Sequence, residues 1–187
     1  TAYVMEGGAA VAAVFEMERE RAVERAEAAL AVFESEAKNA GISYACRAIG
    51  AIPADAATSI GATARLYDLT VVLQPEVGQS SFDNDLPREI MFQSGGPVLF
   101  LPHIFRGAFK ARRIGICWDG SRTAARALRD AAPFLAQAET IVTVTVNEAD
   151  SVPAEVSSDN LAKHLARLGL STSVVGLTAA RSEIQPT

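Results

Sequence analysis

The stretch IGICWDGSRTAARAL, residues 114–128, decides the fold of this chain. Its first residues, Ile114–Trp118, form a short apolar run that predicts a strand. Asp119-Gly120-Ser121 follows as a turn, and the alanine-rich segment from Arg122 to Leu135 has the apolar spacing of a helix. A strand, a turn and a helix in this order indicate the beginning of a strand–helix–strand unit.

Strands and helices alternate on both sides of this stretch. Downstream, the sequence predicts a strand over 140–146, a helix over 157–168 and a strand over 170–175. Upstream, it predicts the end of a strand at 3–5, a helix over 9–39, a strand over 42–49, a helix over 54–66, a strand over 69–73, a short helix over 87–93 and a strand over 98–101. This alternation predicts an α/β fold with a doubly wound parallel sheet.

The chain contains an internal repeat. Gly41-Ile42-Ser43 and Gly169-Leu170-Ser171 each follow a predicted helix and precede a predicted strand. A repeat of this length indicates a duplicated domain and not a solenoid. We therefore predict a first domain over 1–105, which lacks its opening strand and helix, and a second over 111–187, which lacks its C-terminal half. Residues 102–112 are predicted to link them.

Composition and charge limit the classes of function. The 17 basic and 22 acidic residues give a net charge of −5, which argues against nonspecific binding to nucleic acid. No apolar run approaches the ~18 residues that a membrane-spanning helix needs, and no signal-peptide pattern is present. We expect a cytoplasmic protein without membrane contact.

The cysteines and histidines do not form a recognisable reactive pattern. Cys46 and Cys117 each lie in an apolar run and are predicted to be small buried side chains. Neither forms a metal-ligand spacing with His103 or His164. Because no nucleophile–base pair is visible either, we expect neither a metal cofactor nor an enzymatic activity.

Asp119 is the polar residue that the sequence indicates most clearly as a candidate for ligand binding. Ligands of doubly wound sheets bind beyond the carboxyl ends of the strands, and Asp119 lies at such an end, before a helix N-terminus. Its carboxylate could either contact a ligand or cap the helix, and the residues alone leave both open. Ser121 is predicted to be a second capping hydroxyl and not a catalytic nucleophile.

Residues 114–128 resemble the opening of universal stress protein domains, in which a hydrophobic strand ends in an aspartate followed by a small residue, a serine and an alanine-rich helix. Residues 97–102, Pro-Val-Leu-Phe-Leu-Pro, resemble the closing strand of that family. The order of closing strand, linker and opening strand is that of the tandem-domain bacterial type. The resemblance covers nearly the whole chain and implies a Rossmann-like fold of the adenine nucleotide alpha hydrolase-like kind, here as two tandem, incomplete copies.

The resemblance also implies a nucleotide site in the second domain. It places Asp119 against the adenine–ribose part of ATP or AMP, with Cys117, Trp118 and Val146 beside the adenine. Nucleotide-binding members hold the phosphates with a loop of pattern G-x2-G-x9-G-[ST]. The equivalent loop of the first copy, which starts at Gln74, has Gly78 but no glycine three residues later, and it contains Glu76, Asp83 and Asp85, which repel phosphate. The first copy is therefore expected to be degenerate. The loop of the second copy would lie beyond Thr187.

These features predict a stress-response protein that binds or senses adenine nucleotide. Its two domains would pack as a pseudo-dimer, and two chains could form a homodimer. The first alternative is a nucleotide-independent protein-interaction module in stress physiology, which lacks a phosphate loop in both copies. The second alternative is a weak ATPase.

Overall fold

The computed structural model describes residues 2–76, 78 and 82–180 and shows a mixed α/β protein. The chain divides into two compact units, the first ending at Ala56 and the second beginning at Ala57. Helix α1 belongs to the first unit, helix α2 spans the boundary, and the strands that the structure describes belong to the second. The helices are α1 (Ala2–Ala40), α2 (Pro53–Ala64), α3 (Phe82–Ser94), α4 (Arg122–Asp130), α5 (Ala132–Leu135), α6 (Glu148–Ser151) and α7 (Ser158–Arg167), with a 3-10 turn at Ala154–Val156.

Helix α1 is longer than the sequence predicted, and the strand predicted at residues 3–5 is wrong because this segment is the first part of the helix. Three apolar residues are too few to distinguish a strand from a helix, and the glycine pair Gly7-Gly8 costs helix stability without ending the helix. Exposed ion pairs such as Arg21 to Glu18, at 2.7 Å, lie on the solvated surface of this helix.

The strand predicted over 42–49 is also wrong, since these residues are irregular. Gly41 ends α1 with a φ of +65°, and the N–H of Ile42 donates to the carbonyl of Ala37 at 3.1 Å. The chain then folds back, so that the ring of Tyr44 packs edge-on against Phe33 of α1 at 6.0 Å. A strand needs a neighbour for its N–H and C=O groups, and the described part of the first unit contains no other strand.

Within the described ranges, five strands form two separate parallel sheets. Strands β1 (Thr70–Leu73) and β2 (Val98–Leu101) make one sheet, and the strand order in the other is β3 (Arg113–Cys117), β4 (Thr140–Val146) and β5 (Thr172–Leu177). These bounds confirm the strands predicted downstream of residue 69 to within two residues. Residues 102–112 are irregular, and within the described residues no strand pairing crosses them. The domain limits predicted from the repeat stay a prediction.

The two faces of the three-stranded sheet differ in burial. Ile116 pairs in register with Thr143, and both are buried, whereas Cys117 pairs with Val144 on the opposite face, where Cys117 is exposed. Strands added successively in one direction place their right-handed crossover helices on a single face. The described elements therefore cover one face of this sheet. A doubly wound architecture, with helices on both faces, is not confirmed by them.

A hydrophobic cluster of the second unit lies between the buried face of the three-stranded sheet and its helices. Among the described residues, one buried cluster packs there, namely Ile116, Trp118, Leu135, Ile141, Leu161 and Leu165. Leu161 and Leu165 stand four residues apart on α7 and so project from one side of that helix. Leu165, with 1% of its surface exposed, is among the most deeply buried.

Two predicted helices have different bounds in the structure. The segment 122–135 is divided at Ala131 into α4 and α5, because Pro133 cannot donate a backbone hydrogen bond and clashes with the preceding turn. Helix α3 begins at Phe82, so Pro87 lies inside it and not at its start. Among the residues that the structure describes, we find no helix with the length and apolar character needed to cross a bilayer.

Candidate functional site

A cleft of about 700 Å³ opens where β3 and β4 end. Because parallel strands have their carboxyl ends at one edge of the sheet, the residues that follow them meet there. The volume is within the range of small-molecule sites. The lining comprises Cys117, Trp118, Asp119, Ser121, Thr123, Ala124, Val144, Val146, Asn147 and Ser151. The four residues that the sequence singled out, Cys117, Trp118, Asp119 and Val146, are thus all brought together at one cleft.

Asp119 lies at the rim of the cleft in a tight turn. The backbone N–H of Ser121 donates to Oδ1 of Asp119 at 2.9 Å, and Gly120 between them has a φ of +72°. Hydrogen bonds from the side chain and backbone of Ser121 lower the pKa of the Asp119 carboxyl, and desolvation acts in the other direction. Asp119 therefore carries a negative charge at neutral pH.

Ser121 is the N-cap of α4, which confirms its predicted capping role. Its Oγ accepts from the backbone N–H of Ala124 at 3.1 Å and lies 2.9 Å from Oγ1 of Thr123. The Asp119 carboxylate accepts the N–H of Ser121, the N-cap residue itself, and so orients the turn before α4. The cap of the first helical turn comes from the Ser121 hydroxyl. Of the two roles that the sequence left open for Asp119, ligand contact stays a prediction.

Trp118 and Cys117 have opposite environments because successive strand residues point to opposite faces. The indole of Trp118 belongs to the core, and its Nε1–H donates to the carbonyl of Val156 at 2.7 Å. The thiol of Cys117 is exposed, so the prediction that it is a buried side chain is wrong. Cys117 lies on the sheet face that the described helices leave uncovered.

Asn147 closes the cleft at the end of β4 and was not identified from the sequence. It adopts the left-handed conformation, with a φ of +50°. Its Nδ2 donates to the carbonyl of Ala179 at 2.8 Å, and the N–H of Ala179 donates to its Oδ1 at 3.1 Å. One amide thus ties the ends of β4 and β5 together. An asparagine directly after a strand was the available signal, since asparagine tolerates this conformation well.

Glu148 holds the segment 148–158, which follows the cleft residue Asn147 along the chain. This role of Glu148 was also not identified from the sequence. Its carboxylate accepts from the backbone N–H of Ser158 and, at 2.6 Å, from the Ser158 hydroxyl, and Oγ1 of Thr145 donates to it at 3.3 Å. These bonds to Ser158 lower the pKa of Glu148. The carboxylate also satisfies a backbone donor at the N-terminus of α7. No local pattern reveals this contact, which joins residues ten positions apart.

The segment held by Glu148 packs directly over the Asp119 turn. A Cβ atom at Gly120 would lie 2.9 Å from side-chain carbons of both Val152 and Val156. Val156 also accepts the Trp118 hydrogen bond. The turn that carries Asp119 is therefore fixed from both sides, by its own hydrogen bonds and by this packing.

We expect Glu148→Gln to lower the free energy of unfolding by about 1 kcal/mol at pH 7, because it removes charge-assisted hydrogen bonds of a half-exposed carboxylate. A carboxyl whose folded pKa is lowered stabilises the fold above its unfolded pKa, and this stability is lost as the pH falls through the folded value. The difference in the free energy of unfolding between wild type and Glu148→Gln should therefore become smaller below about pH 4. Urea unfolding at several pH values measures it.

Glu139→Gln is the matched control for this variant, since Glu139 is an exposed carboxylate at the opposite end of β4. It should change the stability by less than about 0.5 kcal/mol. An equal effect of the two substitutions, or a Glu148→Gln difference that does not depend on pH, would contradict the anchoring role of Glu148.

The cleft combines one carboxylate with hydroxyl, amide and apolar groups. Within the described part of the chain, its lining contains no lysine, arginine or histidine. No cluster of histidine, cysteine and acidic side chains that could hold a metal ion occurs among those residues. In the degenerate loop predicted for the first copy, residues 77 and 79–81 lie outside the described residues, so that interpretation stays a prediction.

Comparisons with protein families, with curated proteins and with solved structures gave no match to this chain.

Proposed function

We propose that this chain binds adenine nucleotide, ATP or AMP, in the cleft at the ends of β3 and β4, as a universal stress protein of the tandem type. One observation carries the proposal. The residues that the resemblance implies for the nucleotide site, Cys117, Trp118, Asp119 and Val146, line a single cleft of ligand size at the carboxyl edge of a parallel sheet.

The chemistry of the cleft fits the nucleoside part of such a ligand. The Asp119 carboxylate can accept hydrogen bonds from two ribose hydroxyls, which is the usual role of an acidic residue beside a nucleotide-binding strand. Val144 and Val146 offer an apolar wall for the adenine ring. In this proposal the indole of Trp118 does not stack on the base, because it is buried in the core. Its role is to support the turn that carries Asp119.

The finer fold and the cellular setting belong to the same proposal. A doubly wound sheet would need strands added on the other side of β3, so that helices cover the face that carries Cys117. The two copies would pack as a pseudo-dimer in a cytoplasmic stress-response protein, with the first copy structural. The two parallel sheets support a duplicated arrangement. Among the described strands, those before residues 102–112 pair only with each other, and so do those after.

The test is to denature the purified protein and assay the supernatant for adenine nucleotide by mass spectrometry, followed by calorimetric titration with ATP and AMP. We expect Asp119→Ala to weaken nucleotide binding about 10- to 100-fold, because it removes an ionised acceptor. Asp130→Ala is the control, since it removes a carboxylate from the last residue of α4, one helix length away. Absence of nucleotide in the supernatant together with no heat from millimolar ATP or AMP would reject the proposal.

A nucleotide-independent interaction module is the second candidate. The observation in its favour is the sheet face that the described helices leave open, where Val175 and Leu177 are 42% and 50% exposed. Rejection of nucleotide binding by the titrations above would make this candidate the preferred one.

A further inference from the structure

We infer that Glu148 is a positioning residue of the cleft, which keeps the Asp119 carboxylate in place through the packing of the segment 148–158. We call this segment the strap. The inference rests on the proposed function and adds to it a residue that controls the nucleotide site through other residues. Three sets of contacts connect Glu148 to Asp119.

The first contacts join the two ends of the strap. Glu148 uses both of its carboxylate oxygens at the beginning of α7, where Oε1 accepts from the backbone N–H of Ser158 and Oε2 accepts from the Ser158 hydroxyl at 2.6 Å. A glutamine at position 148 would offer a single acceptor oxygen, so it could keep only one of these two bonds. One side chain thus closes the strap.

The second contacts are made by the middle of the strap and surround Asp119 along the chain. A Cβ atom at Gly120 would lie 2.9 Å from side-chain carbons of Val152 and Val156, so the strap packs tightly against the residue that follows Asp119. The carbonyl of Val156 accepts from the indole N–H of Trp118, the residue that precedes Asp119, at 2.7 Å. A displaced strap would therefore remove support from both neighbours of Asp119.

The third contact places the strap in the wall of the cleft itself. Ser151, which ends α6 within the strap, lines the cleft, and its hydroxyl donates to the carbonyl of the lining residue Asn147 at 2.8 Å. Strand pairing fixes β3 against β4 as far as Trp118, whose N–H donates to Val144 at 2.9 Å. Asp119 and Ser151 follow the ends of these strands, and the strap joins them.

Closure of the strap therefore prepares the cleft for a ligand that contacts Asp119. A site that is already ordered binds more tightly than one whose groups must be ordered by the ligand. Loss of the Glu148 contacts should weaken ligand binding, although Glu148 itself acts only through Val152, Val156 and Ser158. Because coupling between two events is reciprocal, a bound nucleotide should in turn stabilise the closed strap.

Hydrogen–deuterium exchange of the full chain without ligand tests the connection between the strap and the Asp119 turn. In Glu148→Gln we expect the amides of 118–124 and 148–158 to exchange about fivefold faster, while those of 141–145 change by less than about twofold. Ser158→Ala, which removes the hydroxyl that donates to Glu148, should act on the same segments. Faster exchange in 148–158 alone, with 118–124 as in wild type, would overturn the inference.

Ile141→Val is the control for a loss of stability that does not involve the strap. Ile141 is 4% exposed and lies near the start of β4, and its truncation removes a buried methyl group. This variant should not accelerate exchange in 118–124 more than in 141–145. Should Glu148→Gln also raise the exchange of all segments equally, its effect would be general destabilisation, and the inference would be wrong.

Calorimetric titration with ATP tests the consequence for the site. Glu148→Gln and Ser158→Ala should each weaken binding about 3- to 10-fold, and Ile141→Val should bind as wild type does. Ser158→Ala leaves the net charge unchanged, so its effect reports the strap without an electrostatic contribution. The two substitutions remove one shared contact, so their effects should not add in the double variant.

The outcomes separate this inference from the proposed function. Equal ATP affinities of wild type, Glu148→Gln and Ser158→Ala would overturn the inference and leave nucleotide binding intact. Wild-type protein that binds no nucleotide would overturn the proposed function, and the exchange of 118–124 would still decide whether Glu148 positions the Asp119 turn.

Discussion

Replacement of Trp118 by alanine should lower the free energy of unfolding of this protein by about 3–5 kcal/mol, the usual cost of removing a large aromatic side chain from a core. Only 8% of the Trp118 surface is exposed, and the indole packs in the cluster that joins β3 and β4 to α7. The substitution leaves a cavity and also leaves the carbonyl of Val156 without its donor.

Trp118→Phe separates these two contributions. Phenylalanine retains much of the buried ring but cannot donate to Val156, so we expect a loss of about 1–2 kcal/mol. Unfolding should be followed by far-UV circular dichroism, since Trp118 is the only tryptophan and its fluorescence is lost in both variants. Ile104→Ala, at a side chain that is 75% exposed, serves as the control. A loss below about 1 kcal/mol for Trp118→Ala would contradict the packing described above.

Gly120→Ala should lower the free energy of unfolding by about 2–4 kcal/mol, although it adds a single methyl group. About 1 kcal/mol or more comes from the φ of +72°, which an L side chain rarely adopts. A further 1–3 kcal/mol is expected from overpacking, because the new Cβ would lie 2.9 Å from carbons of Val152 and Val156. Chemical denaturation measures the sum.

Gly169→Ala is the matched control that measures the cost of the positive φ without the cost of overpacking. Gly169 has a similar φ of +78°, but a Cβ atom there would meet nothing within 4 Å. Its substitution should therefore cost only about 1 kcal/mol. Adding Val156→Ala to Gly120→Ala should recover part of the difference, since the two sites are in contact and are not expected to behave additively. Equal costs for the two glycines would show that the Asp119 turn is not closely packed.

The elements of the second unit were largely predictable from local pattern. The run Thr140–Val146 is rich in β-branched residues and was predicted with the bounds that β4 has. Gly41 and Gly169 were predicted to end their helices, and both have positive φ after α1 and α7. Side-chain periodicity and glycine are local signals, so a single sequence carries them.

The failures occur where a structure depends on distant residues. Residues 42–49 alternate as a strand does, yet among the described residues no strand pairs with them, and they are irregular. Cys117 was predicted to be buried because its neighbours are apolar, but burial of a strand residue depends on which face the helices cover. Glu148 contacts Ser158 only because the intervening segment folds over the Asp119 turn.

The sequence by itself determined the order of helices and strands in the second unit, the turn at Asp119 and the capping role of Ser121, because these depend on neighbouring residues in the chain. Tertiary structure alone decided that Asp119 shares a cleft with Val146 and Asn147, and that Trp118 lies in the core while Cys117 is exposed. The physical reason is that strand pairing and helix packing join residues far apart in sequence, and such contacts form only when the sheet assembles.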